Sequence, residues 1–237
     1  MTRNRRLTIL AGATVAAMAV VAVLIAVSQS GGDDDESGLA AGNAIKGVPT
    51  VNRVYDGIPQ DGATLGNPDA PATMVEFVDL QCPFCADYTR DALPTIVKRY
   101  VRTGKLKVEL RPVAILGPDS ATGAAAAAAA AQENRIWQFA DLWYLNQGRE
   151  NSGYVDDAFL RRIARGAGAN PASVISASES PGSIPLLRQA VTEAQRYNIS
   201  STPSFLLSGP GRKLGPLAVS SFEPSQFTTA IDQVLGE

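Results

Sequence analysis

Hydrophobic and polar positions change period several times along this chain, and each change marks an element. Leu7 to Val27 carries no charge over 21 positions. As a helix it spans about 30 Å, the thickness of a bilayer's hydrocarbon core. Residues 28–47 show no apolar period and contain the acidic run Asp33 to Glu36, the pattern of a flexible acidic linker. Thr73 to Leu80 is rich in β-branched and aromatic residues and predicts a buried strand. Ala86 to Val101 places Ala86, Leu93, Ile96, Val97 and Tyr100 at helical spacing, with Gly104 as the stop. Leu106 to Val113 predicts a second strand, and strand, helix, strand in this order implies a parallel βαβ unit.

A helical tract follows. Thr122 to Gln147, Val155 to Gly166, Pro171 to Ala177 and Ile184 to Tyr197 all read as helices, punctuated by Gly148, Gly153, Gly168 and Pro181. Ser204 to Leu207 and Leu217 to Val219 then predict short strands, and Pro224 to Leu235 a last helix. The pattern is that of an α/β domain over residues 48–237, with helices inserted at about residues 118–182.

Charge orients the first segment. Arg3, Arg5 and Arg6 give residues 1–30 a charge of +3 and leave −5 for the remainder, of which the acidic run supplies −4. Basic residues before the span and acids after it put residues 1–6 in the cytoplasm and the domain outside. A cleaved signal peptide is the rival, since Ala26-Val27-Ser28 has small-x-small spacing. Its usual apolar core of about 7–15 residues is shorter than this run, which favours an uncleaved single-pass anchor over residues 7–27. Either way the domain reaches a compartment where disulfides persist.

Composition removes other chemistries. The 237 residues include no histidine, so Ser-His-Asp triads, Cys-His pairs and imidazole metal ligands are excluded. The formal charge of −2 offers no footprint for nucleic acid. Trp137, Phe139, Leu142, Trp143 and Leu145 read as the core of a helical subdomain rather than a cofactor slot, and neither metal nor cofactor is expected. Ala124 to Ala131 reads as strong helix propensity packed against neighbours.

The two cysteines remain. Cys82-Pro83-Phe84-Cys85 lies between the first strand and its helix. Cys82 then sits at a helix N-terminus, where free N–H groups and the dipole favour a thiolate and lower its pKa. Pro83 suits the first turn because it has no amide hydrogen to satisfy. Cys85, one turn on, is placed to attack a mixed disulfide held at Cys82, the requirement for two-step thiol–disulfide exchange. A static local disulfide would use the same pair; half a metal site would need Cys or His ligands the chain lacks.

Strand, Cys-Pro-Phe-Cys, helix, helical insertion, then Thr202-Pro203 before a strand resembles the DsbA-like thioredoxin-fold disulfide oxidoreductases, in their membrane-anchored bacterial form. Asn67-Pro68-Asp69-Ala70-Pro71, Trp137 to Trp143 and Asn146-Gln147 are similar to that family as well. The resemblance implies an extracytoplasmic enzyme that introduces disulfides into exported, unfolded or reduced client proteins and is recharged by a membrane quinone-linked partner. It makes Cys82 the exposed attacking cysteine, Cys85 its buried mate and Pro203 a cis-proline beside which an extended client segment pairs. Pro83, Phe84 and Thr202 would border that segment. Glu76, six residues before Cys82, would be the buried acid that relays a proton to or from Cys85, while Asp79 on the same strand faces the other way.

One departure matters. Strongly oxidising members of that family carry His where this chain has Phe84, so Cys82 should be less acidic and the enzyme only moderately oxidising. Thr202 before the proline also resembles reductase and isomerase members. A disulfide reductase or isomerase, and a non-catalytic tethered binding module or holdase, are the alternatives.

Overall fold

The computed structural model describes residues 44–179 and 184–237. The expected cytoplasmic tail and anchor over residues 1–27, and nearly all of the linker, lie outside the described residues. Among the described residues no helix is long and apolar enough to cross a membrane.

Helix α1 (Val48–Tyr55) opens the domain, followed by a tight hairpin of β1 (Gln60–Asp61) and β2 (Thr64–Leu65). None of these three was expected, because each is too short to establish a period. Strand β3 (Ala72–Val78) runs parallel to β4 (Leu106–Pro112), as the βαβ pattern requires, and antiparallel to β5 (Ser204–Gly209). With β6 (Arg212–Leu217) the sheet order is β1-β2-β4-β3-β5-β6, so β3 is central and six of its seven residues are buried. The last strand begins earlier than Leu217 because Pro210-Gly211 closes a tight hairpin, with Gly209 opposite Arg212.

The helix expected over Ala86 to Val101 is three segments: α2 (Pro83–Asp91), α3 (Leu93–Ile96) and a wide π turn over Val97–Val101. Pro94 explains the break, since it has no N–H to continue the ladder and its ring crowds the preceding turn. The tract over Thr122 to Gln147 is likewise two helices, α4 (Pro118–Gln132) and α5 (Ile136–Leu145). Asn134 takes φ 58° between them, while the Asn134 and Arg135 N–H groups bond the carbonyls of Ala131 and Ala130, a left-handed helix stop. Helices α6 (Asp157–Ala167), α7 (Pro171–Glu179) and α8 (Pro185–Arg196) complete the tract, and α9 (Pro224–Leu235) closes the chain.

All eight alanines of the run in α4 are buried, as are both tryptophans of α5. Gly123 lets α4 approach closely: a Cβ there would lie 3.0 Å from the Leu80 side chain and 3.1 Å from the Trp143 ring. Tight helix packing of this kind sets the helical layer directly on the segment that leads into Cys82.

Candidate active site

Because β3 and β5 are antiparallel, the end of one lies beside the start of the other: Phe77 pairs with Ser204. The chain leaving β3 reaches Cys82 within four residues of Val78, and the chain entering β5 is Thr202-Pro203, joined by a cis peptide bond. Two segments 120 residues apart in sequence therefore meet, and the Cys82 thiol donates to the Thr202 carbonyl at 3.3 Å.

Cys82 caps α2, and Pro83 occupies its first turn. The Cys82 pKa falls to about 6. The largest cause is the hydrogen bond from the Cys85 thiol; burial opposes it, and the Thr202 hydroxyl and the N–H groups of Cys85 and Phe84 add to it. The helix N-terminus thus contributes as the spacing implied, but behind the partner thiol and the Thr202 hydroxyl. Cys85 is fully buried, and desolvation first, then its bond to Cys82, holds its pKa well above the ordinary thiol value. One sulfur is a thiolate at neutral pH and the other a thiol, although both cysteines are reduced.

Cys82 is not the openly exposed residue expected. It is 4% accessible, because its sulfur lies against Thr202 under the cis-proline loop. Phe84 next to it is 60% exposed, an apolar side chain presented to solvent.

Glu76 is buried beneath the sheet and accepts a hydrogen bond from the Tyr88 hydroxyl at 2.7 Å. Burial raises its pKa to about 8, partly offset by Tyr88 and reinforced by the charge of Asp141. Its carboxylate contacts Tyr88 rather than either sulfur, so the link to Cys85 runs through α2, where Cys85 and Tyr88 share one face three residues apart. Tyr88 was not anticipated; its spacing from Cys85 was the available signal.

Asp79 does not oppose Glu76 across the strand. The strand ends at Val78, and Asp79 turns inward, fully buried, to accept from the N–H groups of Gln81, Ile115 and Leu116. Its carbonyl accepts from the Tyr144 hydroxyl and the Cys82 N–H. Asp79 thereby ties the turn before Cys82 to the segment after β4. The short turn also takes Gln81 into the core, bonded to Tyr154 and the Asn151 N–H.

A sheet with a Cys-x-x-Cys helix leaving its central strand, faced by a cis-proline loop, matches the family model described as thioredoxin over residues 59–232. The chain belongs to the thioredoxin family. It is similar to the probable disulfide bond formation protein D of Bacillus cereus, with 32% identity over 104 residues, 43% of this chain and 48% of that protein. Disulfide bond formation protein D of Bacillus subtilis is 29% identical over 125 residues, 52% and 53% of the two chains. The chain spans about half the length of the curated relatives it matches.

Thioredoxin-family structures extend the likeness across the domain. Oxidised BdbD from Bacillus subtilis superimposes with a TM-score of 0.65 at 23% identity, covering 75% of this chain and 94% of that one. A thioredoxin-like oxidoreductase from Silicibacter pomeroyi gives 0.55 at 28% identity, covering 77% and 95%.

Proposed function

We propose that this chain is an extracytoplasmic protein thiol–disulfide oxidoreductase that introduces disulfides into exported proteins. The observation that carries the reading is the unequal pair: a Cys82 sulfur whose charged form is favoured near neutrality by the Cys85 thiol, the Thr202 hydroxyl and the N–H groups of Cys85 and Phe84, and a Cys85 thiol kept protonated behind it. A structural pair of thiols has no need of that difference.

In the oxidised enzyme a client thiolate attacks Cys82, forming a client–Cys82 bond and breaking the Cys82–Cys85 bond. Cys85 leaves with the electron pair and takes a proton, for which Glu76 is the nearby buried acid. A second client thiolate then attacks the client sulfur, the client disulfide forms, and Cys82 departs as the stable thiolate. Two electrons now reside on the enzyme, and a membrane quinone-linked acceptor is the partner that removes them. An anchor over residues 7–27 would keep both in one plane. Phe84 offers an apolar contact to unfolded clients, and Thr202-Pro203 lies where an extended client backbone would pair.

A Cys82 pKa of about 6 lies well above the value of about 3.5 known for the strongest oxidants, which supports a moderately oxidising enzyme. Run in reverse, the same residues reduce or isomerise disulfides. Refolding of reduced ribonuclease and reduction of insulin by wild type and Cys82→Ser separate the directions. Faster oxidative refolding that depends on Cys82 is the expected result. A refolding yield unchanged in Cys82→Ser, with no reduction of insulin by either protein, would leave only a tethered binding module.

A further inference from the structure

One end of α5 serves the active site. Its Tyr144 hydroxyl, and the Gln147 amide just beyond it, donate to the carbonyls of Asp79 and Leu80 in the turn before Cys82. The other end lies ten residues away, about 15 Å along the helix. There it meets a cavity of about 570 Å³ walled by α1, β1 and the C-terminus of α6, a volume in the range of small-molecule sites. The cavity is part of no step of disulfide exchange.

The walls are rich in donors that the chain does not use. Helix α5 starts after Arg135, which gives it no side-chain cap, so the N–H groups of its first turn lack that acceptor. Gln138, the third residue of the helix, is placed to reach back to the Arg135 N–H, but that group is bonded to the Ala130 carbonyl. Gln138 is 7% exposed and its Oε1 is enclosed without a partner; the Oε1 of Gln60 on β1 is in the same state. Both residues line the cavity, and among the described residues neither side-chain amide makes a hydrogen bond. Buried polar groups are nearly always paired, so two silent amides on one wall point to a partner from outside the chain.

Two guanidiniums set the sign of that partner. Arg135 and Arg165 both line the cavity. Arg165, in the last turn of α6, is exposed, and among the described residues its side chain has no hydrogen-bond or ion-pair partner. Arg135 lies across the end of α6, where a Cβ on Gly168 would come 3.3 Å from its Nε, and its one side-chain hydrogen bond is to the adjacent Asn134 carbonyl at 3.3 Å. The Gly62 N–H donates to the Asn134 side chain at 2.7 Å, which fixes this corner against the β1–β2 hairpin. Among the described residues Asp56 is the one acid on the wall, and the Tyr55 hydroxyl there is spent on Asp141 at 2.7 Å. We propose that this cavity binds a small polar molecule through a carboxylate or phosphate group, whose oxygens take the donors of Arg135, Arg165, Gln138 and the first turn of α5. Guanidinium forks bind such oxyanions bidentately, and the start of a helix favours negative charge. A neutral or cationic ligand would leave the excess positive charge of the wall uncompensated. The site stands apart from the exchange reading and does not depend on it.

Isothermal titration of the full-length chain with inorganic phosphate and with citrate, at constant ionic strength set by chloride, reads the site. A single saturable site for at least one probe is the expected result, and the tighter of the two tells a phosphate ligand from a carboxylate one. Arg165→Ala, at an exposed side chain that bonds nothing, and Gln138→Met, close to glutamine in volume, should each weaken binding about tenfold or more. Arg165→Ala keeps the test open should Gln138→Met fold poorly. Cys82→Ser, at the far end of α5, should bind as wild type does. No saturable binding of either probe would overturn the proposal. Affinity unchanged in Arg165→Ala, or lost in Cys82→Ser, would place the anion elsewhere and overturn it as well.

Discussion

Tyr88 donates to Glu76 across 2.7 Å inside the core, and this bond is the strongest force favouring the charged form of an acid that burial otherwise keeps neutral. The sign of its effect on stability follows. Glu76 titrates near 4.5 when unfolded and near 8 when folded, so the folded state binds the extra proton between those values. Stability from this group is full below about 4.5, declines as pH rises to 8 and is level above it. The slope is at most about 1.4 kcal/mol per pH unit. Glu76→Gln removes it, so the variant should gain stability over wild type progressively from pH 5 to 8, as measured by urea unfolding. A constant difference across that range would place Glu76 in water instead.

The Cys82 thiolate depends first on its neighbour's thiol. Cys85→Ala should therefore raise the Cys82 pKa from about 6 toward the ordinary value, and slow iodoacetamide alkylation at pH 7. In the reduced wild type, this lowered pKa contributes stability that is present above about 9 and lost as pH falls through 6, opposite in sign to Glu76. An alkylation profile in Cys85→Ala still centred near 6 would assign the shift to the Thr202 hydroxyl and the helix N-terminus instead.

Phe84 is 60% exposed and packs into no core, so its replacement tests chemistry rather than folding. Phe84→His would place a cationic donor next to Cys82 and favour its thiolate. The reduction potential against glutathione should rise by roughly 30 mV for each tenfold gain in the equilibrium constant for reduction. Binding of apolar client peptides should weaken at the same time. A potential equal to that of wild type would remove Phe84 from the tuning of this site.

Much of this site is legible in the sequence because its geometry is local. Cys82 and Cys85 lie three positions apart at a strand-to-helix boundary, and the period of residues 73–113 is enough to fix the parallel pair beneath them. Thr202 is different. It meets Cys82 across 120 positions only because β5 runs antiparallel to β3, a pairing that neither strand's pattern states; the family resemblance supplied it. Tyr88 and Asp141 were missed for a related reason. A tyrosine or aspartate inside an apolar helical pattern reads as a boundary residue, and its partner lies on another element 12 or 86 positions away. The helix breaks at Pro94 and Asn134 were readable, since both residues are stop signals that a run of apolar spacing obscured.

The helix that leads into the Thr202 loop is held by Arg111. This arginine of β4 is 4% exposed and bonds Glu193 of α8 at 2.7 Å and Glu109 of its own strand at 2.6 Å. Helix α8 ends at Arg196, six residues before Thr202, so the ion pair anchors the helix that leads into the segment carrying the Thr202 hydroxyl. Glu193→Ala leaves a buried guanidinium with one carboxylate instead of two. Breaking a buried pair costs about 3–5 kcal/mol, and retention of Glu109 puts this variant near the lower end. Loss of α8 alignment would also disturb the hydroxyl of Thr202, one of the groups that lowers the Cys82 pKa. Glu193→Ala should therefore unfold at lower urea and alkylate Cys82 with a profile displaced to higher pH. Replacing Arg111 together with both glutamates by apolar residues of similar volume should recover most of the stability. Recovery of stability without recovery of the alkylation profile would show that the ion pair serves the aim of Thr202 more than the fold.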